Sequence, residues 1–383
     1  MTSTDPRDGD VAQLSINTLR FLAVDMVEKA KSGHPGAPLG QAAMAWLLWT
    51  RFLRHDPADP LWPNRDRFIL SCGHASALLY GLLHLAGYDL SLAELERFRQ
   101  LDSKTPGHPE FGHTVGVETT TGPLGQGLAT AVGMAIAREQ LAARFSEGGV
   151  PLFDYRTWVL ASDGDLMEGV ASEAASLAGH LRLGGLKVLY DSNQISIDGS
   201  TDLAFTEQVD RRFAAYGWNV LEVADGNDLP ALGAAMAMAE AETSRPTLIV
   251  VRTHIGFGSP HKQDSAESHG APLGAEETRL TKAALGWPAE PAFLVPPAAR
   301  QPFATAAERG AAAARAWHAR LARFAESEPE LARELERRSL RALPAGWEAA
   351  LPQFTAADKP IATRAVSGKV LQAIAPVVPE LLG

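Results

Sequence analysis

The sequence predicts an α/β fold, a parallel sheet flanked by helices, and three observations carry that prediction. Two apolar runs, residues 158–161 and 187–190, enclose a segment whose Met167, Val170, Ala174, Leu177 and Leu181 repeat at helical spacing before Gly184-Gly185, which reads as strand, helix, parallel strand. Three more short apolar runs, Arg67–Leu70, 218–223 and 247–251, alternate with helical segments in the same way. Hydrophobic residues make up 46% and charged residues 21% of the 383, enough to build a packed core.

Taken in order, residues 11–31 carry Leu14, Thr18, Phe21, Leu22, Met26 and Val27 on one helical face and stop at Ser32-Gly33-His34-Pro35-Gly36. The loop SGHPGAPLG is stiff at its prolines and permissive at its glycines, and a second apolar helix is expected over 41–52. The strand Arg67–Leu70 leads into Ser71-Cys72-Gly73-His74 and a helix over 75–86. Residues 100–127 form a long glycine-bearing stretch with His108 in TPGHPE and the run TTTGPLGQG, and a helix begins near Leu128. Beyond the central unit, the strands 218–223 and 247–251 bracket an alanine-rich helix, 229–242. The second strand runs into RTHIGFGSPHKQDSAESHGAPLG, a polar loop of a length that usually carries function. Residues 288–302 read as a proline- and alanine-rich linker, 304–340 as a charged helix broken at Pro329, and 344–360 as a second linker. The last segment, 361–383, sets Val366, Val370 and Ile374 on one stripe. The domain expectation is thus 1–287, a linker region 288–358, and the first helix of a further α/β domain over 359–383.

Composition narrows the function. A formal net charge of −10 argues against holding nucleic acid or an anionic membrane through the overall field. The single cysteine, Cys72, allows neither an intrachain disulfide nor a cysteine zinc cage. The start, MTSTDPRDGD, lacks the features of a signal peptide, and the longest apolar run, 42–49, is too short to span a bilayer, so a cytoplasmic protein is expected. Gly122, Gly125 and Gly127 do not have the spacing of the dinucleotide fingerprint, and neither a Gly-Lys-Ser/Thr phosphate loop nor a His-Glu-x-x-His zinc motif occurs.

The chemistry gathers at strand ends. Asp163-Gly164 and Asn193 follow adjacent parallel strands and should face one another across the crevice where open α/β sheets bind ligands. A carboxylate, an amide oxygen and a main-chain carbonyl from the Gln194-Ile195 turn suit magnesium, which takes oxygen ligands and commonly shares them with phosphates. Gly164 permits close approach of a phosphate, and a helix N-terminus favours its charge. The implied ligand is a magnesium diphosphate, while an aspartate here could also serve as a helix N-cap. Four histidines lie in similar glycine- or proline-bearing loops: His34, His74, His108 and His269. Imidazole exchanges protons near neutral pH. His55, His84, His180 and His318 read as structural, and His254 and His261 stay open.

The Asp163-Gly164 to Asn193 spacing resembles the thiamine diphosphate motif Gly-Asp-Gly, about thirty residues, Asn, with Ser162 in place of the first glycine. Together with SGHPGAPLG, TPGHPE, TTGPLGQG, DGDLMEG, DSNQISIDG, IGFGSPHK and SHGAPLG in order, the chain from Leu14 to Gly383 resembles the transketolase family. The resemblance implies the diphosphate-binding domain of a thiamine diphosphate fold. It also implies a divalent cation (Mg2+, or Ca2+ or Mn2+), and transfer of a two-carbon ketol unit from a ketose phosphate such as xylulose 5-phosphate to an aldose phosphate such as ribose 5-phosphate. It assigns Asp163, Asn193 and the main chain of Ile195 to the metal, and His74, Gly164, Gly122, Leu124, Asn193 and His269 to the cofactor. Glu168 falls in the network linking the two sites of a homodimer. His34, His108 and His269 surround the sugar as catalytic groups, and Arg364 meets its phosphate. The family's activating glutamate, on a pyrimidine-binding domain, would lie beyond this sequence. A fragment without turnover by itself is therefore expected, the alternatives being a non-catalytic cofactor-binding or subunit-competing module, or a dihydroxyacetone synthase.

Overall fold

The computed structural model of the chain describes residues 6–382. Five strands, β1 (Arg67–Leu70), β2 (Thr157–Ser162), β3 (Leu186–Ser192), β4 (Asn219–Val223) and β5 (Thr247–Arg252), form one sheet in the order β1-β2-β3-β5-β4. Every pairing in it is parallel. This is the sheet the apolar runs predict, and all six residues of β2 are buried, as a strand covered on both faces requires.

Side chains alternate across the sheet. On one face Trp158, Leu160, Leu189, Ile249 and Val251 pack with Leu19, Leu22 and Met26 of α1 (Pro6–Ala30), Met44 of α2 (Gly36–Leu47) and Leu78 and Leu82 of α3 (Ser76–Ala86). On the other, Val159, Ala161, Val188 and Leu248 meet Leu128 and Val132 of α4 (Gln126–Arg144), together with Ala171, Ala175, Phe213 and Trp218. Burying each large apolar side chain is worth about 1.5–3 kcal/mol, so two full layers fix the sheet and hence the positions of its carboxyl ends. No described helix is long and apolar enough to cross a membrane.

Three local readings are corrected. The helix expected from residue 41 starts at Gly36 and continues after Leu47 as a π-helical turn, Leu48–Phe52, so the loop carrying His34 is shorter than the SGHPGAPLG run suggests. The helix expected after Asp163 is two helices, α5 (Asp163–Met167) and α6 (Gly169–His180), separated at Glu168, whose ψ of 139° is extended. The buried face of α6 is Ala171, Ala175, Ala178 and Gly179, whereas Leu177 and Leu181 are 45% and 44% exposed. The reason is a close crossing: a Cβ on Gly179 would sit 1.8 Å from the Tyr216 carbonyl oxygen, so only small side chains fit inward.

The chain divides into two compact units, Met1–Arg144 with Pro151–Trp317, and Phe145–Val150 with His318–Gly383. The first holds the sheet. In the second, Phe145 packs edge-on against Phe324 at 6.4 Å and lies under the Arg338 guanidinium at 5.4 Å. Arg338 also meets Glu380 at 3.1 Å. Its last helix, α10 by chain order after α7 (Leu229–Ala241), α8 (Gln301–Ser327) and α9 (Pro329–Ser339), spans Thr363–Ile374. None of its residues is fully buried, and Val366, Val370 and Ile374 are half-covered.

Candidate active site

In the parallel register of β2 and β3, Ser162 lies opposite Asp191, so the residues that follow each strand emerge side by side. Ser162 has φ −123° and ψ 177°, extended backbone open to any residue, which is why serine serves where the motif has glycine. Its Oγ and main-chain N–H both donate to Asp165 Oδ2, at 3.3 and 3.0 Å. Ser162 is thus the N-cap of the short helix α5, with Asp165 at N3 reaching back to it in a capping box, and Asp163 is free of that task. The Asp163 carboxylate turns to the end of β3 instead: Oδ2 accepts the main-chain N–H groups of Asn193 (3.2 Å) and Gln194 (2.8 Å), and Oδ1 accepts the Tyr190 hydroxyl.

Asp163 and Asn193 are 3% and 5% exposed. Burial, opposed by these hydrogen bonds, raises the Asp163 carboxyl to about 6. Among the described residues, Asp163 is a buried carboxylate on the cavity wall for which no ion pair is seen, a place where a cation would offset the cost of burying charge. Ile195 opens a small hairpin, Ile195–Ser196 with Gly199–Ser200, after Gln194 turns the chain with φ +65°. The donors on offer are a carboxylate, an amide and main-chain oxygens, the hard set that suits magnesium or calcium. Among the described residues, no three His, Cys, Asp or Glu side chains converge as a metal cage.

These groups border a cavity of about 330 Å³. His34, His74, Gly122, Leu124, Asp163, Gly164, Glu168, Asn193, Ile195 and His269 all line it, which brings together ten of the twelve residues singled out from sequence. Gly164, in the first turn of α5, faces Leu124, whose Cδ1 would be 3.1 Å from a Cβ at that position. The helix behind Gly164 is only five residues long, so its contribution to anion binding is smaller than a continuous helix would give. Glu168 is exposed at the break between α5 and α6.

Three histidines form one cluster. The rings of His34 and His74 lie 5.1 Å apart, His74 and His269 stack at 5.2 Å, and His34 meets His269 edge-on at 5.6 Å. Burial, then the neighbouring His269, Arg99 and His108 charges, lowers His34 to about 4. Burial, followed by its three histidine neighbours, holds His74 well below the ordinary value, and burial lowers His269. A cluster of neutral imidazoles follows, each with one donor and one acceptor nitrogen. His269 Nδ1 and Thr121 Oγ1 are buried without a hydrogen-bond partner, polar atoms left for a bound group to satisfy.

Two expected residues stand elsewhere. His108 is exposed and lies one step outside the cavity wall, its ring 3.5 Å from where a Gly122 Cβ would be. Arg364 is exposed at the start of Thr363–Ile374, in the second compact unit.

The structure adds residues that the sequence reading passed over. Asp165, fully buried, accepts from Ser71 Oγ at 2.8 Å and Gly125 N at 2.9 Å as well as from Ser162; the Ser162-x-x-Asp165 capping spacing was its available signal. Arg99 places Nη1 on Ser32 Oγ at 2.9 Å and Nη2 at 3.4 Å from His34 Nδ1. It is 65 positions from His34 in sequence and holds a left-handed φ of +62°, and nothing in its local sequence marks it.

A family model described as transketolase, thiamine diphosphate binding domain, matches residues 11–344. The chain is 55% identical over 374 residues to a transketolase of Geobacillus stearothermophilus and 51% identical over 374 to that of Bacillus subtilis, in each case covering 97% of this chain and 56% of the relative. It thus spans a little over half the length of these curated relatives. Among solved structures, transketolase from Pichia stipitis in complex with sedoheptulose 7-phosphate aligns with a TM-score of 0.92 at 48% identity, over 97% of this chain and 55% of that one. Transketolase from Leishmania mexicana aligns with a TM-score of 0.92 at 46% identity, over 96% and 55%. With sequence, sheet topology and cavity in agreement, the chain belongs to the transketolase family.

Proposed function

We propose that this chain supplies the diphosphate-binding side of a transketolase active site, in which magnesium and thiamine diphosphate serve transfer of a two-carbon ketol unit between sugar phosphates. The observation that carries the reading is the convergence on one cavity of Asp163, Asn193, Gly164 and the cluster His34, His74 and His269. When bound, the cofactor supplies an electron sink for cleavage of a carbon–carbon bond beside a carbonyl. Asp163, Asn193 and the main chain of Ile195 hold the cation, which can also be Ca2+ or Mn2+, and Gly164 and His74 meet the diphosphate. Gly122 and Leu124 line the cofactor, and Glu168 joins the link between the two sites of a homodimer.

The neutral histidines act on the substrate. His34 and His269 exchange hydrogen bonds with the sugar hydroxyls and donate to the substrate oxygen that gathers negative charge, with His108 at the mouth. Arg364 binds the sugar phosphate. The partners are sugar phosphates, in the pentose phosphate pathway of the cytoplasm, and a second copy of the complete protein. Neither nucleic acid nor membrane is a partner.

The test is ketol transfer from xylulose 5-phosphate to ribose 5-phosphate by the complete protein. Residues 1–383 alone should give no turnover and should gain it when the remaining half is supplied. A non-catalytic binding module would gain none, and preference for formaldehyde over ribose 5-phosphate would mark a dihydroxyacetone synthase. His269→Ala should lower turnover at least tenfold, and Asp163→Ala should abolish metal-dependent cofactor binding.

A further inference from the structure

An asparagine can turn either its amide oxygen or its amide nitrogen toward a cavity, and only the oxygen can bind a hard cation. The environment of Asn193 decides between them from both sides. Its Oδ1 accepts the main-chain N–H of Ile195 at 3.0 Å, and its Nδ2 donates to Asp191 Oδ2 at 3.1 Å. A main-chain N–H can only donate, and Asp191 Oδ2 already accepts an amide N–H from Gln41, so the flipped amide would set donor against donor and acceptor against acceptor.

Asp191 is itself held. It is 1% exposed, takes Gln41 Nε2 at 2.6 Å on the same Oδ2, and receives the Thr253 hydroxyl on Oδ1. Gln41 comes from α2, Thr253 from the end of β5, and Asp191 from β3, so three elements of the fold meet on one carboxylate that does not border the cavity.

We propose that Asp191 is a positioning residue for Asn193, fixing its amide with the oxygen on the Ile195 side, which lines the cavity, and thereby setting the affinity of the metal site. This rests on the reading of Asn193 as a metal ligand. Outer groups that orient a ligand commonly change metal affinity about 10- to 100-fold when removed.

The experiment is a Mn2+ titration of the complete protein with thiamine diphosphate present, following free Mn2+ by electron paramagnetic resonance, with a thermal melt of each cofactor-free variant. Asp191→Leu removes the acceptor and should weaken Mn2+ binding at least tenfold while melting cooperatively. Asp191→Asn should stay within about threefold of the parent, because its oxygen can face Gln41 and Asn193 while its nitrogen faces Thr253 Oγ, a hydroxyl able to accept. If Asp191→Leu does not fold, Asp191→Ser carries the same expectation. Parental affinity in Asp191→Leu or Asp191→Ser, with affinity lost in Asn193→Ala, overturns the positioning role. A loss in Asp191→Asn as large as in Asp191→Leu overturns it too, since charge rather than orientation would then govern. Parental affinity in Asn193→Ala overturns instead the assignment of Asn193 to the metal.

Discussion

Gly125 donates its main-chain N–H to Asp165 Oδ1 across 2.9 Å, joining the loop ahead of α4 to the short helix α5, 40 positions apart. The other carboxylate oxygen takes the Ser162 N–H at 3.0 Å. Each oxygen of Asp165 thus faces a main-chain donor. In Asp165→Asn the amide nitrogen must confront one of them, whichever way it turns. The expected loss is about 1–3 kcal/mol, the cost of a buried donor left unpaired, read as a lower melting midpoint.

Gly125 itself has φ +78°, and a Cβ there would come within 2.8 Å of the Glu168 Cβ. Gly125→Ala should therefore destabilise the fold by about 1–2 kcal/mol and displace Glu168. Denaturant unfolding measures the first effect. The second should appear as weaker thiamine diphosphate binding at a pH and temperature where the variant is fully folded.

The histidine cluster has a definite pH signature. His34, His74 and His269 all titrate below the ordinary value, His34 near 4. The unfolded chain, with imidazoles near 6.5, binds protons first as pH falls. The stability these neutral rings contribute is present above about 6.5 and is lost as pH drops from there toward 4. Imidazole 15N shifts should show His34 neutral at pH 6, where an ordinary histidine is mostly charged, with His74 and His269 protonating only below the ordinary range, and melting midpoints should decline as pH falls.

Leu177 and Leu181 lie exposed on the outer side of α6, with Val170 and Ala174 half-covered beside them. Leu177→Glu with Leu181→Glu should change the unfolding free energy of residues 1–383 by no more than about 0.5 kcal/mol each, as at other exposed positions. On the homodimer reading, the same pair should raise the monomer fraction of the complete protein in sedimentation velocity.

The central strands β2 and β3 were legible because a parallel strand covered on both faces leaves a largely apolar run, as 158–161 and 187–190 do. Asp163 opposite Asn193 was legible for a topological reason, since both residues follow parallel strands in adjacent register. The inward face of α6 was not. Periodicity selects large side chains, and here the crossing at Tyr216 admits only alanine and glycine. The break at Glu168 escaped notice because no proline marks it. Arg99 and Asp191 illustrate a further limit: one acts through a contact 65 residues away, the other through partners at positions 41, 193 and 253, and neither distance leaves a trace in local pattern.

Cys72, the single cysteine, is fully buried beside Gln41, and burial raises its thiol well above the ordinary value. A protonated, enclosed sulfur is a poor nucleophile. The chain therefore comes chemically blank toward maleimides, and one cysteine introduced at Ile197, on the cavity rim and 64% exposed, would carry a fluorophore at a single address. Ligand entry could then be followed by emission from an otherwise unlabelled protein.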